Sequence, residues 1–211
     1  MGWFFDDGIV LYNYFIYSSL PELKGGAGGM FEKVIFLDVD GVLNGKNSKS
    51  YCITEDGRTI TGIDTDKVKR LARIENNSKA DIVLISSWKD GWYNNNDYLF
   101  TEPSLSNHAK YLTRHLFKKG KLFIRDRTPN IWKGRGEQIL FWLKTHPQTK
   151  EWVILDDEEW HDFYEHDEIK RHWVKTDYDV GLTDDDTTAA INILKGQLIG
   201  PFEKKQESEC Y

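Results

Sequence analysis

The stretch that most constrains the fold of this chain is KVIFLDVDGVLN, residues 33–44. Residues 34–37 form an uninterrupted apolar run of β-forming side chains, and such a run predicts a central strand that is buried on both faces. Asp38 and Asp40 follow the run, and Gly41 then breaks the pattern. Ligands of open parallel sheets bind beyond the carboxyl ends of the strands. The sequence therefore predicts that both aspartates face a ligand site.

Two carboxylates this close together repel each other, and each is costly to bury without a partner. A bound cation, or a division of labour between a nucleophile and an acid, would account for the pair. The alternative interpretation is an acidic loop that caps a helix. A DxD on its own does not decide between these interpretations, so the rest of the chain has to.

Three further polar motifs follow in order: Ser86-Ser87-Trp88, the basic pair Lys133 and Arg135, and Asp156-Asp157. The serines and the second aspartate pair end the apolar runs DIVLISSW and WVILDD, which places them at predicted strand ends. Together with DxDGVLN, this order resembles the haloacid dehalogenase-like (HAD) phosphohydrolases. GRGEQILFWL, WVILDD and KTDYDVGLT are most similar to the HAD domain of Swiss Army Knife RNA repair proteins. The resemblance extends over residues 31–198.

This resemblance implies a covalent mechanism with a magnesium cofactor. The first aspartate of the motif, Asp38, would attack phosphorus and form an aspartyl-phosphate. Asp40 would protonate the leaving oxygen and then activate water. Mg²⁺, which takes oxygen ligands and keeps waters, would bind Asp38, the backbone carbonyl of Asp40 and Asp156. Asp157 would bind directly or through water, or would be left to an outer-shell or capping role.

The resemblance also implies groups that hold the phosphoryl oxygens. Ser86 would donate a hydrogen bond to one oxygen, helped by the backbone N–H groups that follow Asp38 and Ser86, with Gly41 and Ser87 as the substrate-binding positions.

A cation must face the phosphate from the other side, and Lys133 and Arg135 compete for that place. The motif RGEQI favours Arg135, whose planar fork matches phosphate. Lys133 would then lie at the surface of the protein or contact the tail of the substrate. Trp88 either stacks on a base or sugar of the substrate, or packs beneath a flap.

Composition bounds the remaining possibilities. A chain of 211 residues suits one domain with a full core. The net charge of −6 argues against an extended basic surface for duplex nucleic acid, although a local basic pocket is compatible with it. Cys52 and Cys210 form neither a disulfide framework nor a zinc pattern, so we expect a reducing, cytoplasmic location. No apolar run reaches the length of about 18 residues that a membrane span requires, so we expect no membrane partner.

The two ends of the chain fall outside the motif pattern. We interpret residues 1–29 as a fused peptide that ends in the Gly-rich linker GGAGG, ahead of Met30. Its apolar density predicts that it docks on this domain or on a neighbouring protein. Residues 30–200 would form the phosphatase domain, and the charged residues 201–211 a flexible tail.

Periodicity predicts an α/β fold with a Rossmann-like parallel sheet of about five strands, helices on both faces and no large cap domain. The segment 45–63 reads as a hairpin flap, and Thr183 with Asp186 as a capping box. The predicted strands are 34–37, 82–85, 122–124, 153–155 and 172–175, and the predicted helices are 64–76, 106–118, 134–144 and 183–198.

The sequence thus favours a magnesium-dependent phosphomonoesterase that acts on a nucleic-acid or nucleotide end phosphate, where the substrate class rests on the resemblance alone. One alternative is a phosphatase of small metabolites or mononucleotides. Another, from a different class, is a non-catalytic HAD-like scaffold that carries a displayed peptide.

Overall fold

Strands and helices alternate along the chain. The computed structural model describes residues 30–53, 57, 59–91, 107–131 and 133–198. The strands in these ranges are β1 (Lys33–Leu37), β2 (Tyr51–Ile53), β3 (Thr59–Thr61), β4 (Asp81–Leu84), β5 (Ile124–Arg127), β6 (Glu151–Asp156) and β7 (Trp173–Lys175). The α-helices in the same ranges are α1 (Thr65–Ser78), α2 (Asn107–Gly120), α3 (Arg135–Thr145), α4 (Asp167–His172) and α5 (Asp184–Ile193).

Within the described residues, five of these strands form one parallel sheet in the order β5-β4-β1-β6-β7. The strand predicted to be central, β1, is indeed the middle one. Ile35 is in register with Ile82 of β4 on one side and with Val153 of β6 on the other. The predicted α/β fold with a five-stranded parallel sheet is confirmed.

The two faces of β1 build two separate hydrophobic cores. Ile35 and Leu37 point to one side, where they join apolar side chains of α1, α2 and α5. Val34 and Phe36 point to the other side, where they join those of α3 and α4. All four side chains are fully buried. Because side chains alternate across a strand, an unbroken apolar run can fill both cores, and the prediction of helices on both faces is confirmed.

In the chain order, a small antiparallel hairpin of β2 and β3 follows β1 and precedes α1, as the pattern of residues 45–63 predicts. Ser48 and Ser50 each donate a hydrogen bond of 2.6 Å to the carboxylate of Asp64. Asp64 is the N-cap residue of α1, but its side chain binds these serines and makes no capping hydrogen bond. The described residues contain no large cap domain, and none of their helices combines the length and apolar character needed to cross a bilayer.

Most predicted elements agree with the structure to within two residues at each end, but β5 and the last helix differ by more, and one helix was not predicted. The strand expected at 122–124 is β5, displaced to Ile124–Arg127, because an edge strand tolerates the charged sequence IRDR that an apolar pattern does not reveal. Helix α4 was missed because its sequence, DEIKRH, offers only one buried side chain, Ile169. The last helix begins with the predicted capping box at Thr183, but it ends at Ile193 rather than near residue 198.

Phe31 anchors the start of the described domain. Its backbone N–H donates to Asp81 Oδ2 at 2.8 Å, and its carbonyl accepts from Thr149 Oγ1 at 2.8 Å. Its ring is buried and lies edge-on to Trp142, with centroids 5.3 Å apart. The interpretations of residues 1–29 as a fused peptide and of 201–211 as a tail lie outside the described residues.

These contacts predict where the chain can be shortened. A protein that begins at Met30 is expected to fold and to melt close to the full-length chain, because it retains these contacts of Phe31 with Asp81, Trp142 and Thr149. A protein that begins at Lys33, after an initiating Met, is the control. Loss of the buried ring is expected to cost about 3–5 kcal/mol of unfolding free energy. Thermal melting measures both, and failure of the Met30 protein to fold would show that residues 1–29 belong to the domain.

Candidate active site

Each strand of the sheet leads at its carboxyl end to a buried polar residue. In spatial order across the sheet these residues are Thr128, Ser86, Asp38, Asp156 and Thr176. Parallel strands bring all their carboxyl ends to one edge, so five segments that are distant in sequence contribute to one region. The ligand edge that the strand-end aspartates predict is therefore lined with polar side chains throughout.

Three carboxylates converge at this edge. Asp38, Asp156 and Asp157 each offer an oxygen atom that lies within 4.8 Å of the other two. Burial, together with the charge of Asp156, raises the pKa of Asp38 to about 7, although Arg135 opposes the shift. Burial raises the pKa of Asp156, and burial and the charge of Asp156 raise the pKa of Asp157 to about 6. Burial thus disfavours the ionised form of all three carboxyls.

Arg135 is the cation that reaches this cluster. Its Nη1 lies 3.0 Å from Asp38 Oδ1 and 2.5 Å from Asp156 Oδ2, and its guanidinium lies over the ring of Trp160 at 4.3 Å. Burial opposes its charge, but the two carboxylates outweigh this effect and raise the pKa of Arg135. The other candidate, Lys133, has a side chain that is 63% exposed and lies 3.5 Å from Glu137. The structure therefore places Arg135 inside the cluster and Lys133 outside it.

The first turn of α3 is built to hold Arg135 in this position. The backbone N–H of Glu137 donates to Asp162 Oδ2 at 3.0 Å, so a buried carboxylate occupies the helix N-terminus. Gly134 and Gly136 flank Arg135, and a Cβ atom on Gly134 would lie 2.2 Å from Asp162 Oδ2. The GRG sequence thus lets the helix start approach Asp162 closely enough to aim Arg135 at Asp38.

Gly41 has a similar role beside the second aspartate pair. Its φ of +72° is in the left-handed region, and a Cβ atom there would lie 2.1 Å from Asp157 Cγ. Its carbonyl accepts from Thr176 Oγ1 at 2.8 Å, and its N–H donates to Asn44 Oδ1 at 3.1 Å. Only glycine leaves room for the carboxylate of Asp157 at this position.

Asp40 differs from Asp38 in its environment because its side chain is exposed. Its Oδ2 accepts from Trp88 Nε1 at 2.8 Å, and its Oδ1 accepts from Asn44 Nδ2 at 2.8 Å. The ring of Trp88 is only 6% exposed and belongs to the hydrophobic core.

The two serines of the Ser86-Ser87-Trp88 motif differ in exposure. Ser86 is buried, and its hydrogen bond to Asp38 partly offsets the rise in the pKa of that carboxyl. Ser87 is exposed.

Sequence reasoning missed several residues of this region. Asn44 closes the motif that contains Asp40, but it was given no role. Asp162 lies in an acidic stretch that gives no local sign of helix capping. Lys89 directly follows Trp88, but it was given no role. It is buried, and its Nζ donates to Thr128 Oγ1 at 2.8 Å and to Gln138 Oε1 at 2.6 Å.

The family model for the HAD domain in Swiss Army Knife RNA repair proteins matches residues 34–187. The chain belongs to this family. The matched range begins in β1 and ends in α5, so it includes the whole sheet, the acidic cluster and Arg135. No curated protein and no solved structure matches the chain.

The acidic cluster of this HAD domain has the chemistry of a cation site. Three carboxylates supply hard oxygen ligands, which divalent cations such as Mg²⁺ prefer. Burial, with a smaller contribution from Asp156, raises the pKa values of Asp38 and Asp157 even though Arg135 lowers them, so a bound cation would favour the ionised carboxylates. The residues therefore fit a metal ion, held by Asp38, Asp156 and Asp157.

The raised pKa values of Asp38 and Asp157 predict how the stability of the metal-free HAD domain depends on pH. Asp38 and Asp157 bind protons more tightly in the folded than in the unfolded state, so they stabilise the fold below the unfolded pKa of about 4. That contribution is lost as pH rises through the folded values of about 6 and about 7. The melting temperature is expected to fall between about pH 5 and about pH 7.5, and added Mg²⁺ should restore it most at the higher pH.

The control for this measurement is a matched pair of variants. Asp157→Asn removes one of the carboxyl groups with a raised pKa, so the melting temperature of the metal-free protein should depend less on pH. Asp185→Asn makes the same chemical change at an exposed position of α5 and should leave the slope unchanged. If the melting temperature depends equally on pH in the wild type and both variants, or if Mg²⁺ does not alter this dependence, the carboxyls of the cluster do not have raised pKa values.

Proposed function

We propose that this protein is a magnesium-dependent phosphomonoesterase that acts through an aspartyl-phosphate on Asp38. The observation that carries the proposal is the contact of Arg135 Nη1 with both Asp38 and Asp156, beside a third carboxylate. A carboxylate nucleophile, a fixed cation and a cation site at one strand edge are the groups that transfer of a phosphoryl group requires. Membership in the HAD family supports the same reaction class.

The reaction divides into two displacements. In the first, a carboxylate oxygen of Asp38 forms a bond to phosphorus while the bond to the leaving oxygen breaks, and Asp40 transfers a proton to that oxygen. In the second, water attacks phosphorus, the carboxylate of Asp40 accepts its proton, and Asp38 is released with inorganic phosphate. Asp40 suits both roles because it is exposed at the same strand end, where leaving group and water can reach it.

Charge stabilisation comes from groups around Asp38. Arg135 offers its guanidinium to the phosphoryl oxygens, and buried Ser86 offers a hydroxyl donor at the end of the neighbouring strand. Mg²⁺ bound by Asp38, Asp156, Asp157 and the Asp40 carbonyl would keep the carboxylates ionised and neutralise negative charge on the phosphoryl oxygens. Ser87 and Gly41 would bind the substrate from the same loops.

We propose an end phosphate of RNA or of a nucleotide as the substrate. Two observations support it: the family is that of RNA repair proteins, and the described residues contain no large cap over the sheet edge. An uncapped site admits the end of a polymer that a closed site excludes. The net charge of −6 argues against an extended basic surface for nucleic acid, so recognition would be local to the phosphate. The two distant cysteines fit a reducing cytoplasm as its location.

The first test is release of inorganic phosphate from a panel of 3′- and 5′-phosphorylated oligonucleotides, mononucleotides and small phosphate esters. Activity is expected to require Mg²⁺, and to be highest on the oligonucleotides. Asp38→Asn retains size but removes the nucleophile, and should lower turnover by several orders of magnitude. Full activity of this variant, or of the wild type in excess chelator, would refute the mechanism. A preference for small esters would instead assign the protein to metabolite phosphatases.

A second test separates the two basic residues of the motif. Arg135→Ala is expected to lower kcat by about 100-fold or more, because it removes a cation that faces the transferred phosphoryl group. Lys133→Ala removes an exposed cation only two positions away, and is expected to act on KM with little effect on kcat. Kinetics of both variants on the best substrate of the panel measure the difference. The reverse pattern would assign the electrostatic role to Lys133.

A further inference from the structure

The acid–base carboxylate of the proposed mechanism, Asp40, is exposed, yet both of its oxygen atoms are held by buried side chains. Trp88 donates its indole N–H to Oδ2, and Asn44 donates its amide to Oδ1, both at 2.8 Å. We propose that Trp88 and Asn44 are positioning residues, which set the direction in which Asp40 delivers its proton to the leaving oxygen. This inference rests on the proposed phosphomonoesterase function.

Both donors are themselves fixed by their surroundings. Trp88 is 6% exposed, is part of the core between the sheet and its helices, and lies edge-on to His108 with ring centroids 5.0 Å apart. Asn44 is 1% exposed, and its Oδ1 accepts the N–H of Gly41. The amide of Asn44 therefore has to present its NH₂ group to Asp40. An exposed aspartate would otherwise sample several rotamers, and these two rigid donors select one.

The identity of the donors also restricts where a proton can lie on Asp40. An indole N–H donates and cannot accept, and the NH₂ group of an amide also only donates. A proton on Asp40 therefore cannot lie between its carboxyl and either donor. It must occupy a lone pair that faces neither Trp88 nor Asn44. Orientation of this kind contributes to proton transfer, because a general acid acts only from a hydrogen-bonded position on the leaving oxygen.

This role predicts a dependence on the leaving group that mere damage to the fold does not produce. Trp88→Phe removes the N–H donor and retains an aromatic ring in the core. Phosphate esters with a good leaving group need little protonation, whereas alkyl esters need it most. The variant is therefore expected to lose about 10- to 100-fold in kcat/KM on glycerol phosphate, as a general acid out of position would. It should lose little on p-nitrophenyl phosphate.

The measurement is the slope of log kcat/KM against leaving-group pKa, for p-nitrophenyl phosphate, phenyl phosphate and glycerol phosphate. The chain offers a matched control, because Trp142 also donates its Nε1 to a carboxylate, that of Asp126, at 2.7 Å in the other core. Trp88→Phe should steepen the slope, and Trp142→Phe should leave it as in the wild type. Asn44→Ala removes the second donor and is expected to steepen the slope as well, so it provides the test if Trp88→Phe does not fold.

Three outcomes would overturn the inference. An unchanged slope in folded Trp88→Phe and Asn44→Ala would show that Asp40 does not depend on these donors. An equal steepening in Trp142→Phe would show that loss of core packing causes the effect. Absence of phosphate release by the wild type from every ester and every phosphorylated oligonucleotide of the panel would remove the proposed function and this inference with it, whereas an active wild type with unchanged slopes removes the inference alone.

Discussion

The buried contact of Arg135 with Asp38 and Asp156 is the interaction on which the rest of the site depends. One nitrogen of the guanidinium reaches carboxylates from two neighbouring strands. Buried charges are tolerated only when they are paired, and among the described residues Arg135 is the cation that pairs with Asp38 and Asp156. Burial disfavours ionisation of the three carboxyls and raises their pKa values, and the neighbouring carboxylates add to the effect. A buried group of oxygen ligands of this kind is suited to a metal ion.

Glycines and a further buried aspartate, Asp162, shape the surroundings of this contact. Asp162 accepts a hydrogen bond from the first turn of α3, and Gly134 leaves the space that this carboxylate needs beside the helix N-terminus. On the other side, Gly41 leaves space for the carboxylate of Asp157. None of these residues carries charge to the proposed substrate. Their effect is geometric, since they let backbone and carboxylates approach more closely than any side chain would permit.

The two aspartates of the DxD motif differ in environment although they are only two residues apart. Asp38 is buried beside a guanidinium and two carboxylates, whereas Asp40 is exposed and held by two neutral donors. Such a difference is how a protein gives two carboxylates two tasks. In the mechanism that we propose, Asp38 attacks phosphorus, and Asp40 exchanges protons with the leaving group and with water.

Local patterns were sufficient for the fold and for most of the acidic cluster. Apolar runs that end in Asp38, Ser86 and Asp156 predict strands, and the parallel arrangement then predicts that their ends meet. Local patterns failed at β5 and α4, which bury little apolar surface. Where few side chains are buried, few positions require an apolar residue, so the sequence of the element shows little hydrophobic periodicity.

The sequence by itself determined the order of the sheet-forming segments and the acidic residues at their ends, since burial imposes an apolar pattern on each segment separately. The tertiary structure decided which of two basic residues enters the site. Helix α3 begins at Arg135, so this side chain projects from the first turn towards Asp38, while Lys133 precedes the helix and faces solvent. It also decided that Trp88 binds Asp40 across 48 positions of sequence. Such contacts depend on how separate elements pack together, which no local pattern records.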